Sequence, residues 1–257
     1  MAYRIVFFDV DGTLLDGTGT IPEDTRRAVG RLQEAGIRTV IATGRSPYHL
    51  KPVADELGIR SYVSFNGALV ALDGEVIVRQ PIPADRLRLL DGFAEARDLP
   101  LVYVGDRGYA VNRKDHPDVA ETFRVLHIPE PMHDPDYWTR NDIYQVMMYC
   151  PPGAEREYEP QLGDLKLVRW HELSVDVIPV GHSKATGVGA VLERLGLAPD
   201  EAIAFGDGLN DREMIAYVGM GIAMGNAQEE LKAAARRVTR RADDGGISAA
   251  LRELGMI

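Results

Sequence analysis

Two aspartates, Asp9 and Asp11, directly follow a short apolar run in the string Asp9-Val10-Asp11-Gly12-Thr13. On an extended chain, side chains two residues apart point the same way, so the two carboxylates are expected to lie together. Like charges so close resist joint ionisation unless a cation neutralises them, and a hard metal ion prefers carboxylate oxygens. The string therefore predicts an acidic metal site. The alternative is a plain acidic turn in which Thr13 caps the next element.

A second acidic string, Gly206-Asp207-Gly208-Leu209-Asn210-Asp211, follows the apolar run from Ala202 to Phe205. Its two glycines let the backbone approach a ligand closely, and Asp207 and Asp211 supply two further carboxylates. Taken alone, the string could be a loop in which Asn210 or Asp211 caps the following helix. Beside the first string, it favours a shared metal site.

Groups that could meet a phosphate occur at two further places. Thr43, Gly44 and Arg45 close another apolar run and offer a hydroxyl, backbone N–H groups and a guanidinium. The alternative is a helix cap with a solvated arginine, since Ser46-Pro47 is typical of a helix start. Lys184 stands at the start of a predicted helix, where a positive charge is disfavoured. A negative group is therefore expected near it.

The elements that must position these residues alternate between buried strands and amphipathic helices. Strands are predicted at 5–8, 37–42 and 62–65, with helices at 22–35 and 50–57 between them. Right-handed crossovers then give a parallel, doubly wound, Rossmann-like α/β sheet whose ligand crevice lies beyond the carboxyl ends of the strands. Asp9, Thr43 and Asn66 each stand at such an end.

The alternation breaks after a predicted hairpin whose turn is Asp73-Gly74. The pattern of residues 82–180 predicts a helix, a hairpin, an irregular Pro- and His-containing stretch and further strands. These are the elements of an α+β domain with its own hydrophobic core. We therefore expect an inserted α+β domain at 82–180 within a core formed by 1–81 and 181–257. Asp176 is an odd residue there, because the strand around it is otherwise apolar.

Composition excludes several classes of partner. The chain has 257 residues with 29 Lys and Arg against 39 Asp and Glu, a net charge of −10, which argues against nucleic acid or an anionic membrane. No run of 18 apolar residues predicts a membrane span, and Asp9 interrupts the only apolar run near the start. A lone Cys150 forms no internal disulfide, so a cytoplasmic protein is expected. The oligomeric state stays open between a monomer and a weak dimer.

The four strings together resemble a known family. DVDGT, TGR, a single lysine after a long insert, and GDGLND are similar to the four motifs of the haloacid dehalogenase-like phosphatases. The insert follows the second motif rather than the first, which resembles the Cof-like branch with a type IIB cap. The resemblance implies that residues 82–180 are this cap and that they set substrate specificity.

The resemblance also implies a role for each motif residue. Asp9 would be the nucleophile that becomes an aspartyl-phosphate, and Asp11 the general acid and base. The residues that would hold one Mg²⁺ are Asp9, Asp11 through its backbone carbonyl, and Asp207, supported by Asp211. The residues that would bind the transferring phosphoryl group are Thr43, Gly44, Lys184 and Asn210.

Three activities fit this set of residues. The first is a Mg²⁺-dependent phosphatase acting on small phosphorylated metabolites such as sugar phosphates. The second is a phosphomutase or phosphotransferase that uses the same aspartyl-phosphate, and the third is a non-enzymatic receiver-like regulatory module. Asp11 favours turnover, because a carboxylate there can activate water, whereas related transport ATPases have no carboxylate there and keep their phosphoenzyme.

Overall fold

The computed structural model describes residues 3–126 and 128–257, which fall into two compact units. The first unit contains residues 3–79 and Ser183–Ile257, and the second contains the described residues of Gln80–His182. Mixed sheets with helices make up both units, so the predicted α/β class with an inserted α+β segment is confirmed.

The strands and helices are numbered in chain order. The strands are β1 (Ile5–Phe8), β2 (Arg38–Ala42), β3 (Tyr62–Ser64), β4 (Leu69–Leu72), β5 (Glu75–Arg79), β6 (Leu101–Gly105), β7 (Tyr109–Val111), β8 (Met132–His133), β9 (Ile143–Tyr149), β10 (Leu165–His171), β11 (Ser174–Pro179), β12 (Ala202–Gly206), β13 (Met220–Ala223) and β14 (Arg237–Val238). The helices are α1 (Glu23–Glu34), α2 (Pro47–Leu57), α3 (Ala84–Glu95), α4 (Pro117–Val125), α5 (Glu155–Tyr158), α6 (Lys184–Leu195), α7 (Arg212–Tyr217), α8 (Glu229–Ala234) and α9 (Gly246–Glu253).

The first unit is built on a sheet of order β14-β13-β12-β1-β2-β3-β4-β5. The strands from β14 to β3 are parallel to one another. β4 pairs antiparallel with β3, and β5 pairs antiparallel with β4. The order reverses where β12 and β2 flank β1, and ligands of doubly wound sheets bind at such a switch point. The fold therefore brings the loops after β1, β2 and β12 to one edge of the sheet.

Helices cover both faces of this sheet, which explains why β1 is apolar throughout. Val6 and Phe8 join one core cluster, with side chains of α1, α2 and α9. Ile5 and Phe7 join the other, with side chains of α6, α7 and α8. All four side chains are fully buried, as the continuous run of a two-sided parallel strand requires.

The second unit has a mostly antiparallel sheet of order β10-β11-β9-β6-β7-β8. Apolar side chains of α3, Leu87 and Leu90 among them, form a core with the side chains of Val175 and Val177 on β11. The hairpin predicted at residues 101–111 is present as β6–β7, and the two strands predicted at 165–170 and 173–178 are present as the antiparallel pair β10 and β11.

Two local predictions are wrong. The spacing of Thr20 and Glu23 is that of a capping box, but no such box forms, because α1 begins at Glu23 with Pro22 as its N-cap. The Thr20 N–H instead donates to Asp16 Oδ1 at 3.1 Å, inside a closed loop. The irregular Pro- and His-containing stretch also holds a helix, α4, which starts at Pro117 with His116 Nδ1 accepting from the Asp118 N–H. A proline at the first helical position marks such a start.

The hairpin prediction at Asp73-Gly74 is confirmed. Both residues have positive φ angles, 53° and 89°, as a type I′ turn requires, and they join β4 to β5. Within residues 3–126 and 128–257, no helix is both long and apolar enough to cross a lipid bilayer.

Candidate active site

A buried lysine joins two of the acidic motifs. Lys184, at the start of α6, is 1 % exposed, and its Nζ donates to Asp9 Oδ1 and to Asp211 Oδ1, each at 2.6 Å. An ammonium buried so deeply is tolerated only when carboxylates neutralise it. Asp9 and Asp211 are thus the negative groups that the position of Lys184 required.

A close approach of two backbones places this lysine. Gly67, in the turn after β3, has a φ of 100°, and a Cβ there would lie 2.3 Å from the Ser183 carbonyl oxygen. Glycine alone allows the turn to sit against the start of α6. The side chain of Thr186 completes this helix start, because its Oγ1 accepts from the Ser183 N–H at 3.3 Å.

Asp211 organises the loop that follows β12. Its Oδ2 accepts from the N–H groups of Asp207 and Gly208, each at 3.0 Å, while its Oδ1 accepts from Lys184. The side chain is fully buried. Because both oxygens already have partners, Asp211 fixes the loop and the lysine together.

Asp207 is held by two residues outside its own loop. Thr13 Oγ1 donates to its Oδ1 at 3.1 Å, and Asn226 Nδ2 lies 3.4 Å from its Oδ2. Asn226 Nδ2 also donates to the Gly12 carbonyl at 2.8 Å, while its Oδ1 accepts from the Ala242 N–H at 2.9 Å. Asn226 was not among the site residues predicted from the sequence. The signal for it was its place just beyond the carboxyl end of β13.

The carboxylates of Asp9, Asp207 and Asp211 together carry more negative charge than Lys184 neutralises. Burial, Asp211 and Asp207 raise the pKa of Asp9 well above its usual range, although Lys184 acts in the opposite direction. Burial and Asp211 raise the pKa of Asp207 to about 6, against the hydrogen bond from Thr13. Burial by itself would lower the pKa of Lys184, but its ion pairs with Asp211 and Asp9 outweigh burial and raise it.

These electrostatics fit a divalent cation. Asp9, Asp207 and Asp211 each offer a carboxylate oxygen, and these oxygens lie within 4.8 Å of one another. Hard oxygen donors in this number suit Mg²⁺, which usually keeps several waters and takes few carboxylates. A cation here would relieve the repulsion that raises the pKa values of Asp9 and Asp207.

Asp11 does not share the surroundings of Asp9. The chain turns after Asp9, with the Leu14 N–H donating to the Asp9 carbonyl, so the extended geometry expected for this pair is wrong. The Asp11 side chain is 63 % exposed, and its two oxygens accept from Arg45 Nη2 at 2.6 Å and from Arg45 Nε at 2.9 Å. The sequence suggested Arg45 as a phosphate ligand, but in the structure its guanidinium binds Asp11 instead.

The remaining motif residues meet around Asn66. Thr43, at the end of β2, is buried, and its Oγ1 accepts from the Arg45 N–H at 3.1 Å, which leaves its own proton free to donate. Asn210 Nδ2 donates to Asn66 Oδ1 at 3.3 Å, and a Cβ on Gly44 would lie 3.2 Å from Asn66 Nδ2. The loops after β2, β3 and β12 are therefore in contact.

Gly12, in the turn after β1, leaves no room for a side chain. Its φ is 74°, and a Cβ there would lie 2.2 Å from Asp207 Oδ2. We expect Gly12→Ala to lower the free energy of unfolding by about 1–3 kcal/mol and to displace Asp207. Urea unfolding measures the first effect. The control is Gly17→Ala, in the same loop, where a Cβ meets nothing within 4 Å; equal losses in both variants would contradict the argument.

Known proteins resemble this chain over most or all of its length. A family model described as haloacid dehalogenase-like hydrolase matches residues 6–251. YkrA of Bacillus subtilis (strain 168) is 42 % identical over 257 residues, and the alignment covers 100 % of both chains.

Two solved structures are similar over nearly the whole chain. BT1666 from Bacteroides thetaiotaomicron, described among phosphatases of this superfamily, has a TM-score of 0.93 and 32 % identity, covering 100 % of this chain and 96 % of that one. The subclass IIB sugar phosphatase BT4131 has a TM-score of 0.87 and 30 % identity, covering 99 % and 100 %. The four motifs, the fold and these relatives agree, and the chain belongs to the haloacid dehalogenase-like hydrolases.

Proposed function

We propose that this chain is a Mg²⁺-dependent phosphatase that hydrolyses monoesters of small phosphorylated metabolites through an aspartyl-phosphate on Asp9. The observation that carries the proposal is the buried contact of Lys184 with both Asp9 and Asp211, at 2.6 Å each. A nucleophilic carboxylate must approach a phosphate dianion, and an adjacent ammonium offsets the repulsion between them. Membership in a hydrolase family with phosphatase relatives supports the same conclusion.

The reaction proceeds in two balanced steps. In the first, a carboxylate oxygen of Asp9 bonds to phosphorus, the ester P–O bond breaks, and Asp11 gives its proton to the departing oxygen. In the second, the oxygen of water bonds to the phosphorus of the aspartyl-phosphate, the P–O bond to Asp9 breaks, and Asp11 takes a proton from that water. Inorganic phosphate then leaves and Asp9 is restored.

Three side chains would hold the phosphoryl group in place, and a fourth would position them. Lys184 faces the negative charge of the phosphoryl group from the buried side, and the hydroxyl of Thr43 and the second N–H of the Asn210 amide, which is not donated to Asn66, are free to donate to its oxygens. Asp211 acts as a positioning residue, since it orients Lys184 and the loop after β12. The backbone N–H of Gly44 is a further donor at the end of β2.

Asp9 and Asp207 would hold Mg²⁺, with the backbone carbonyl of Asp11, and Asp211 would support them. When bound, the ion neutralises charge on the phosphoryl oxygens and on the attacking carboxylate. The raised pKa values of Asp9 and Asp207 support this assignment, because both carboxylates lack a sufficient countercharge among the described residues.

Asp207→Asn should weaken Mg²⁺ binding more than it changes the fold. An amide keeps the shape and one oxygen but loses the charge, so the Mg²⁺ concentration giving half-maximal activity should rise by at least about tenfold. Calorimetric titration of the substrate-free protein with Mg²⁺ checks binding separately from turnover. The matched control is Asp243→Asn, an exposed carboxylate paired with Arg241 at 2.9 Å. An unchanged titration for Asp207→Asn would remove Asp207 from the metal site.

The substrate class that we favour is sugar phosphates and similar monoesters, as for the sugar phosphatase BT4131. The second unit would act as the cap that selects among them. The test is a screen of the purified chain with Mg²⁺ against phosphorylated sugars, nucleotides and acids, measuring free phosphate. Repeated release of phosphate from one monoester supports a phosphatase. Transfer to another sugar without free phosphate would indicate a mutase, and at most one phosphate per chain would indicate a receiver-like module.

A further inference from the structure

A groove runs between α1 and α9 on the first unit. The two helices pack on the same face of the sheet, where Leu32 and Leu251 belong to one core cluster. Beside this core they leave a cavity of about 510 Å³, and a second cavity of about 220 Å³ shares Arg27 and Arg252 with it. We call the two cavities together the α1–α9 groove. Ligand pockets in proteins typically have volumes of roughly 300–1,000 Å³, so the groove has room for a small ligand.

Helical spacing directs a set of arginines towards this groove. Arg27 and Arg31 stand one turn apart on α1. Arg252 stands one turn after Ser248 on α9, and Arg240 precedes that helix in the chain. Side chains four positions apart lie on the same face of a helix. Four arginines from three segments of the chain therefore line the α1–α9 groove.

The four arginines differ from their neighbours in having no partner. Among the described residues, none of their side chains has a hydrogen bond or an ion pair. Two nearby arginines that do not line the groove are paired: Arg237 contacts Glu253 at 3.3 Å, and Arg241 contacts Asp243 at 2.9 Å. The unpaired guanidinium groups are thus gathered where one ligand can reach them.

The α1–α9 groove is positive although the whole chain has a net charge of −10. Its lining has four arginines against two side-chain carboxylates, Asp24 and Glu253, a surplus of two positive charges. Both carboxylates have partners of their own. Asp24 Oδ2 accepts from Ser248 Oγ at 2.9 Å, and Glu253 contacts Arg237. An anion bound in the groove would relieve the repulsion between the unpaired guanidinium groups.

The lining of the groove restricts the kind of anion. A guanidinium donates in pairs to phosphate oxygens, and a phosphate group carries more than one negative charge. Engaging four arginines on both sides of the groove takes more than one such group. Among the described residues, no aromatic side chain lines the groove, which disfavours stacking with the bases of a single-stranded nucleic acid. The acidic remainder of the chain would also repel a long polyanion, whereas a compact ligand meets mainly the local positive field.

We propose that the α1–α9 groove binds a compact anion that carries two or more phosphate groups, such as pyrophosphate, tripolyphosphate or an organic bisphosphate. The site is separate from the candidate active site, because none of the four motifs contributes a residue to its lining. The inference goes beyond the proposed function and does not depend on it, since no step of the hydrolysis uses these arginines.

Affinity is measured by calorimetric titration of the metal-free full chain with tripolyphosphate. We expect saturable binding that weakens when the salt concentration is raised from about 50 mM to about 200 mM. In the variant that combines Arg27→Gln with Arg252→Gln, the dissociation constant should rise at least about tenfold. The matched control combines Arg156→Gln with Arg194→Gln, which removes the same charge from exposed arginines outside the groove and should change the constant less than about twofold. Thermal unfolding of each variant shows that its fold is retained.

Chemical modification then locates the bound anion. Phenylglyoxal, which reacts with accessible guanidinium groups, is added with and without tripolyphosphate, and mass measurement of the peptides identifies the modified arginines. We expect the anion to protect Arg27, Arg31, Arg240 and Arg252 but not Arg194.

The proposal would be overturned by any of three results. The first is the absence of saturable binding, and the second is an equal loss of affinity in the control variant or no loss in the variant at Arg27 and Arg252. The third is tighter binding of citrate or of a single-stranded oligonucleotide than of tripolyphosphate, because carboxylates or an extended polyanion would then be the preferred ligand. Failure of the proposed function looks different: the chain would release no phosphate from any monoester, while binding of tripolyphosphate would remain.

Discussion

Asp9→Asn should abolish phosphate release while the chain stays folded. The amide cannot form the aspartyl-phosphate, so we expect the rate to fall by more than about 10³-fold with every substrate. The fold should survive for an electrostatic reason. Burial and neighbouring carboxylates raise the pKa of Asp9, so its ionised form is disfavoured in the folded state, and a neutral side chain relieves that repulsion. Lys184 keeps its ion pair with Asp211.

The measurements for this variant are steady-state phosphate release and urea unfolding. The matched control is Asp55→Asn on α2, an exposed carboxylate paired with Lys51 at 2.6 Å, which should keep full activity. Residual activity of Asp9→Asn above a few per cent of the unsubstituted rate would refute Asp9 as the nucleophile. A lowered urea midpoint would show that the variant loses activity because it unfolds, which would contradict the expected retention of the fold.

Asp11→Asn should separate the two chemical steps. An amide neither protonates a leaving group nor takes a proton from water, so both steps suffer with an alkyl phosphate and turnover slows without an intermediate. With p-nitrophenyl phosphate, the phenolate departs without a proton. Formation of the aspartyl-phosphate should then continue while its hydrolysis slows, and the phosphoenzyme should accumulate. Rapid quench followed by mass measurement of the intact chain detects it.

The control for this prediction comes from the ion pair at Asp11. Arg45→Gln removes both guanidinium contacts with Asp11 but keeps the carboxyl group, so no phosphoenzyme should accumulate in that variant. Because the Asp11 side chain is largely exposed, neither substitution should unfold the chain. If Asp11→Asn hydrolyses alkyl phosphates at the unsubstituted rate, Asp11 is not the acid and base.

Much of the fold was predictable because its signals are local. A strand buried on both faces has no polar position, which is why the apolar run of β1 identified it. A type I′ turn needs two positive φ angles, which Asp73-Gly74 favours. The helix α4 was missed because its short apolar pattern lies among residues typical of loops, and only the proline at its start marked it.

The candidate site was predictable to the level of motifs. Parallel strand ends meet at one sheet edge, so residues at the ends of β1, β2 and β12 were expected to lie together, and the contacts of Lys184 and Asn66 join their loops. Asn226 was not predicted, because it has no neighbouring motif in sequence. Its function in the site depends on a contact with Gly12, far away along the chain.

The sequence by itself determined the residue types of the site and the strand ends that carry them, because periodicity and motif spacing are properties of the chain. Only the tertiary structure decided which charged side chains form ion pairs with one another. Lys184 forms ion pairs with Asp9 and Asp211, whereas Arg45 forms one with Asp11. The two aspartates have different partners because the turn after β1 separates carboxylates that are only two residues apart in sequence.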